Sequence, residues 1–351
     1  MRTITALAIL TLWIPATSQA QTLLAQAKPA GSDLWGYINE KGDQVIPPAF
    51  KSCFRFTESG YAAVSDPDTK EDYFIDTKGQ RLKTEVSGFE HMSGLGGGDQ
   101  QGFHFGLAAV RVGKKWGFMD MTGKMVIPAK YDKVDAFEGP FTMVGVGKQL
   151  LILGTDGTET PMKDPKVVDV RSFHEGLAPF KTSDKMMGFM DGQQKVVIPA
   201  QFKSVGYFSD GLAWAKNASD AVGYIDKKGE WVIPAKYDAG GEFDAESGLA
   251  RVKSGDVWMY VDRTGKELKV SADSYGQFSE GLCDGKKGGM VGFFDRTGQW
   301  VIEPKFEAVR DFKNGMAAAR QSGMWGFIDR TGKWVIEPKF EAVKDLARTA
   351  K

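Results

Sequence analysis

Two stretches decide the fold class: WGFIDRTGKWVIEPKF, from Trp325 to Phe340, and a near copy upstream, VGFFDRTGQWVIEPKF, from Val291 to Phe306. Each opens with large apolar and aromatic residues, Trp325, Phe327 and Ile328 in the last copy, which favour a pleated, half-buried surface. Asp329 to Gly332 then turn the chain. An aspartate at the first turn position accepts hydrogen bonds from backbone N–H groups two residues on, and a glycine at the fourth takes the left-handed conformation without a Cβ clash. The return run Trp334, Val335, Ile336 is apolar at consecutive positions, so it needs cover on both faces, and neighbouring units are the obvious cover. Pro338 has no N–H to donate and ends the ladder.

Extending this register puts the first position of the unit at Trp35, Asp72, Trp116, Leu150, Met187, Val222, Trp258, Val291 and Trp325, nine units spaced by 33 to 44 residues. The units at Asp72 and Leu150 have lost the Val-Ile-Pro half but keep their turns. A further strand recurs between hairpins, as Gly211 to Trp214, Gly248 to Val252 and Gly315 to Ala318, which makes the unit a three-stranded antiparallel meander. A phenylalanine precedes it, at Phe105, Phe208, Phe243, Phe278 and Phe312, and is expected to plug the loop into the core.

The architecture expected from these units is an all-β tandem array over residues 35–345, an open β-solenoid or superhelix, with a closed propeller-like ring as the alternative. The open form is preferred because the chain begins and ends with the same Trp-Gly hairpin and offers no evident strand by which one end completes the other. Glu341 to Lys351 alternate in charge, have a helical look and suit a polar cap, with 346–351 as a tail.

With 351 residues the chain exceeds the size of one growing core, which agrees with an array. Lysine plus arginine equals aspartate plus glutamate at 45 each, so no net field holds a polyanion, and nucleic acid is not an expected partner. The N-terminus reads as an export signal over residues 1–20: Arg2, an apolar run from Ile4 to Ile14, and the small-x-small site Ser18, Gln19, Ala20, with cleavage after Ala20. A second such site stands at Ala25, Gln26, Ala27, and residues 21–33 read as a polar lead-in whose length does not touch the core. No other segment is long and apolar enough for a membrane helix, so the mature chain is expected to lack an integral membrane segment and to be secreted or periplasmic. Cys53 and Cys283 are too sparse for a disulfide framework or a metal cluster.

Trp35 with Gly36, Trp116 with Gly117 and Trp325 with Gly326, followed in fixed order by the aspartate-to-glycine turn, Val-Ile-Pro and Gly-Leu-Ala, resemble the WG-repeat family, also called KWG repeats. The resemblance covers essentially the whole mature chain. It departs at Asp72 with Tyr73 and at Leu150 with Leu151, where the Trp-Gly pair is replaced. It implies an exported protein of bacterial type that acts as an interaction scaffold, without an assigned common activity.

Chemistry-bearing motifs are scarce. The aspartates Asp76, Asp120, Asp191, Asp226, Asp262, Asp295 and Asp329 stand once per unit where a hairpin needs them, and turn chemistry accounts for them before calcium or glycoside hydrolysis does. Trp231, Trp300 and Trp334 share one repeat position and offer a surface-aromatic row for stacking, against a packing role between units. His91 and His104 flank the longest spacing, a glycine-rich insertion from Gly94 to Asp99, and His91, Asp99 and His104 are the ligand contacts such a loop would carry. It lacks the Gly-Lys-Ser/Thr ending of a phosphate loop. No catalytic, cofactor or metal set emerges, and no cofactor is expected. The reading is a non-enzymatic binding or scaffolding protein that presents an extended repeat surface to a protein or a cell-envelope polymer. The alternatives are a glycan-active enzyme built on turn aspartates and the aligned tryptophans, or a purely structural spacer.

Overall fold

The computed structural model describes residues 23–92, 101–137, 139–268 and 270–349. Every regular element among them is a β-strand, and every strand pairing is antiparallel. The commonest sheet has four strands in chain order, as in Ser204–Val205, Ala213–Lys216, Val222–Ile225 and Trp231–Tyr237. Four strands replace the three expected, because a first strand of two to six residues, ending before the phenylalanine plug or running through it, joins the sheet.

The Trp-Gly hairpin forms the third and fourth strands, and its glycine is a close-approach position. A Cβ on Gly326 would lie 2.3 Å from the carbonyl oxygen of Ile336, and one on Gly223 would lie 2.4 Å from that of Ile233. The fourth strand bulges there, its register shifting between Trp325 and Phe327. Where the glycine is lost, at Tyr73, Leu151 and Met259, Val-Ile-Pro is lost too, and the fourth strand is short or reduced to a bridge. The turn aspartates behave as the sequence suggests: Asp329 Oδ1 accepts from the N–H groups of Thr331 at 2.8 Å and Lys333 at 3.1 Å.

Phe208, Phe243, Phe278 and Phe312 are buried plugs. Phe105 is not: it is 62% exposed and left-handed at φ 51°, and Phe103, two residues earlier, fills the plug position. The expected polar lead-in is corrected as well. Leu23–Pro29 is a strand with Leu24, Ala25 and Ala27 buried, so cleavage at the second small-x-small site would remove core. Nor is the C-terminal segment helical. Trp334–Val343 is one ten-residue strand, Ala347–Arg348 forms another, and both pair with Leu23–Pro29.

The chain therefore does offer an end-to-end complement, contrary to the expectation that favoured an open array. Leu23–Pro29 sits between Trp35–Asn39 and the end of Trp334–Val343, with Ala27 opposite Val343. The contacts there copy those inside the array. Gly42 packs on Ile336 as Gly332 packs on Ile302. Lys344 N–H donates to the Gln26 carbonyl as Arg310 N–H does to Ala318, each at 2.9 Å. Gly31 N–H donates to Glu341 at 2.8 Å as Gly323 N–H does to Glu307 at 3.1 Å. Leu346 is buried in the place that Phe312 holds one repeat earlier.

Candidate functional site

The residues singled out from sequence do not assemble. His91 and His104 both sit on strands paired with Leu107–Val112. His91 is buried, its Nε2 3.3 Å from Asp72 Oδ1 and its ring edge-on to Phe54, so it is packed as a structural partner. Burial pushes the Asp72 carboxyl up, and hydrogen bonds from His91 and Ser65 overcome this and leave it below the ordinary carboxylate value. Asp99 and the Gly94–Asp99 run lie outside the described residues. Trp231, Trp300 and Trp334 lie in three different sheets. Trp231 and Trp334 pack edge-on against Phe202 and Phe306 of the preceding sheet, and Trp300 packs against Phe294 of its own. They serve packing, although Trp231 stays 40% exposed. Cys53 and Cys283 are free thiols; burial raises both, Cys53 to about 12. Among the described residues no cluster of histidine, cysteine, aspartate and glutamate suits a metal ion.

A different place stands out, and its origin lies in one position of the second strand. In three sheets that position is an alanine facing the third-strand aromatic, Ala63 opposite Phe74, Ala109 opposite Phe118 and Ala318 opposite Phe327, and in others it is Gln26, Met143 or Pro179. In three consecutive sheets it is large or charged instead: Trp214 opposite Tyr224, Arg251 opposite Tyr260, Asp284 opposite Phe293. The first strand compensates with Gly206, Gly241 and Gly276, where the flanking sheets carry Arg171 and Arg310. A Cβ on Gly206 would stand 2.1 Å from the Trp214 indole nitrogen, and one on Gly276 would stand 1.8 Å from Asp284 Oδ1. Bulk has moved from the first strand to the second.

The exchange leaves a cavity of about 320 Å³ lined by residues of these three sheets. Trp214, Phe243, Tyr260 and Phe278 give it aromatic walls, and Arg251, Glu242, Asp244 and Gln277 give it polar ones. The carboxylates are half engaged: Glu242 Oε1 accepts from Tyr207 N–H at 3.2 Å, and Asp244 Oδ2 from Ser247 N–H at 2.7 Å. The Tyr260 hydroxyl donates to the Gly276 carbonyl, and burial, with Cys283 beside it, raises the phenol and keeps it neutral.

Arg251 is the exception. Its guanidinium lies 4.4 Å above the Trp258 ring and 6.0 Å from that of Tyr275, its Nε is buried without a hydrogen-bond partner, and no ion pair holds it among the described residues. Asp284, one sheet on, is held above the ordinary carboxylate value by burial and by Asp311. An oriented guanidinium with unmet donors is suited to receive a carboxylate or another oxyanion. The run Gly206-Tyr-Phe208, Gly241-Glu-Phe243, Gly276-Gln-Phe278 was the sequence signal for this place.

A family model described as a WG-containing repeat matches residues 35–66, 116–148, 187–218, 223–258, 292–325 and 325–347. Among curated proteins none matches the chain by sequence. Of solved structures, a eukaryotic initiation factor is similar in fold at 12% identity and a TM-score of 0.63, over 94% of this chain and 98% of that one. AztD from Citrobacter koseri aligns at 12% identity over 95% and 100% of the two chains with a TM-score of 0.44. The WD40 β-propeller domain of Doa1 aligns at 12% identity over 59% and 79% with a TM-score of 0.31. The likeness to the initiation factor concerns the fold alone, which in the described residues of this chain is an all-β arrangement of many antiparallel sheets.

Proposed function

The chain belongs to the WG-repeat family, and from that premise we propose that it is an exported, non-enzymatic binding or scaffolding protein, a ring of nine sheets presenting a repeated edge to a protein or cell-envelope polymer. The ring is supported by the pairing of Leu23–Pro29 with Trp334–Val343, and by the turn, carbonyl and plug contacts that recur between the chain's ends. In this reading one sheet takes its first strand, Ala342 and Val343, from the C-terminus and its other three strands from residues 23–50.

The observation that carries the binding role is the valine of Val-Ile-Pro. Val45, Val126, Val197, Val232, Val301 and Val335 are between 38% and 46% exposed, while the isoleucine after each is at most 4% exposed. A valine held partly in water on strand after strand is not needed for the core, and its recurrence at one repeat position supports a repeated interaction surface. The following proline, Pro47, Pro128, Pro199 and Pro234, removes a donor and keeps these edges from pairing indiscriminately.

The test is co-sedimentation of the mature protein with insoluble cell-envelope material, beside the triple variant Val301→Glu, Val335→Glu, Val45→Glu. Surface substitutions of this kind change stability by about 0.5 kcal/mol or less, so the variant is expected to fold and lose retention. Equal retention of the two proteins would contradict the proposed surface.

A further inference from the structure

We propose that the cavity beneath Gly241 is a site for a small zwitterion of the α-amino acid type, its carboxylate on Arg251, its ammonium on Glu242 and Asp244, and its side chain among Trp214, Phe243 and Phe278. This inference is independent of the valine edge, which plays no part in the cavity.

The charge pattern selects the ligand class. The lining holds one guanidinium and two carboxylates. A simple anion that satisfied Arg251 would face Glu242 and Asp244, and a simple cation that satisfied the acids would face Arg251. A molecule bearing both charges on neighbouring atoms matches all three. Arg251 is ready for it: stacking on Trp258 and Tyr275 fixes the guanidinium plane, and the side chain lines the cavity with no ion pair among the described residues. A carboxylate in the cavity would meet the guanidinium at its terminal nitrogens, because the Nε itself is enclosed by protein. Glu242 and Asp244 each use one oxygen on a backbone N–H, which orients the carboxylate and leaves the second oxygen for a ligand. The volume of about 320 Å³ lies at the small end of ligand sites, which suits a single amino acid better than a polymer segment.

Gly241 supplies a clean variant. Its φ is not left-handed, and an added Cβ would meet nothing closer than the Arg251 carbonyl oxygen at 3.7 Å, so a larger residue fits the backbone and fills the cavity. The experiment is calorimetric titration of the mature protein with each of the common amino acids at millimolar concentration. For any that binds, its decarboxylated amine and its desamino acid are titrated next; for leucine these are 3-methylbutylamine and 4-methylpentanoate. At least one amino acid is expected to bind saturably, and each half-ligand to bind about tenfold more weakly or less, the scale of one lost charge-assisted contact. Gly241→Leu should abolish binding in a folded protein. Arg251→Gln should weaken the zwitterion and the desamino acid while leaving the weak binding of the amine unchanged. The proposal is overturned if no amino acid binds, if an amine binds as tightly as its parent, or if Gly241→Leu leaves the affinity intact.

Discussion

The junction between the chain's two ends and an ordinary junction inside the array are built from one set of contacts, and they differ only in what is covalent. Inside the array, Trp300–Phe306 leads through Glu307 into Ala308–Val309, which pairs with Met316–Gln321 of the same chain run. At the ends, Phe340 leads through Glu341 into Ala342 and Val343, which pair with Leu23–Pro29, more than 300 residues earlier in the sequence. Glu341 binds Gly31 N–H as Glu307 binds Gly323 N–H, and Lys339 reaches the Gly42 carbonyl as Lys305 reaches that of Gly332. The lesson is that the sequence repeat and the sheet are out of phase. The chain is cut between the first and second strands of one sheet, so that sheet is assembled from both ends.

The harshest way to break the equivalence is to delete residues 23–29. Loss of a whole strand with buried Leu24, Ala25 and Ala27 is expected to abolish cooperative thermal unfolding, read by circular dichroism. Survival of a sharp transition would make the end junction dispensable. A gentler comparison sets Leu24→Ala at the ends beside Leu249→Ala, its counterpart within the array. Both leucines are buried, so each variant should lose about 2–5 kcal/mol in denaturant titration. A negligible cost at Leu24 alone would show that the ends are not packed as the interior is.

The exchange of bulk between first and second strands allows a third test. Gly206→Ala forces a Cβ onto the Trp214 indole and should cost about 1–3 kcal/mol, and the cost should vanish in a Trp214→Ala background. Additive effects of the two changes would contradict the complementarity.

Smallest in effect is the turn aspartate. A hydrogen bond from Thr331 and backbone N–H bonds from Thr331 and Lys333 hold the Asp329 carboxyl below its ordinary value of 3.8, against a smaller effect of burial. Its stabilisation is complete above that value and is lost as pH falls through the lower folded-state value. Asp329→Ala should therefore cost about 1 kcal/mol at neutral pH and nothing in strong acid. Asp284 has the opposite sign: burial and Asp311 raise it, so stability falls as pH rises through 3.8 toward the folded value. Asp284→Asn should raise the melting temperature at pH 7, with the gain disappearing in acid.

What was legible in the sequence was local. The hairpin turns follow from aspartate and glycine three residues apart, and Phe208, Phe243, Phe278 and Phe312 recur 16 or 17 residues after the aspartate. The strand Leu23–Pro29 was hidden because its Ala25-Gln-Ala27 is also the pattern of a signal-cleavage site, and its partner is remote in sequence. The last strand was misread because charges alternating along Glu341 to Arg348 suit a strand as well as an exposed helix. Phe105 was taken for a plug because two phenylalanines stand two residues apart, and only the left-handed turn at Phe105 separates them. The cavity was written in Gly206, Gly241 and Gly276, but its meaning depends on which strand-two residue each glycine faces, and that is a register, not a motif.

The proposed ring rests most directly on the opposition of Ala27 and Val343. With Cys53 and Cys283 replaced by alanine, the double variant Ala27→Cys, Val343→Cys should form one disulfide within each chain under mild oxidation, at a yield independent of protein concentration. Free thiols in the folded protein, or disulfide-linked dimers that increase with concentration, would contradict closure of the chain on itself.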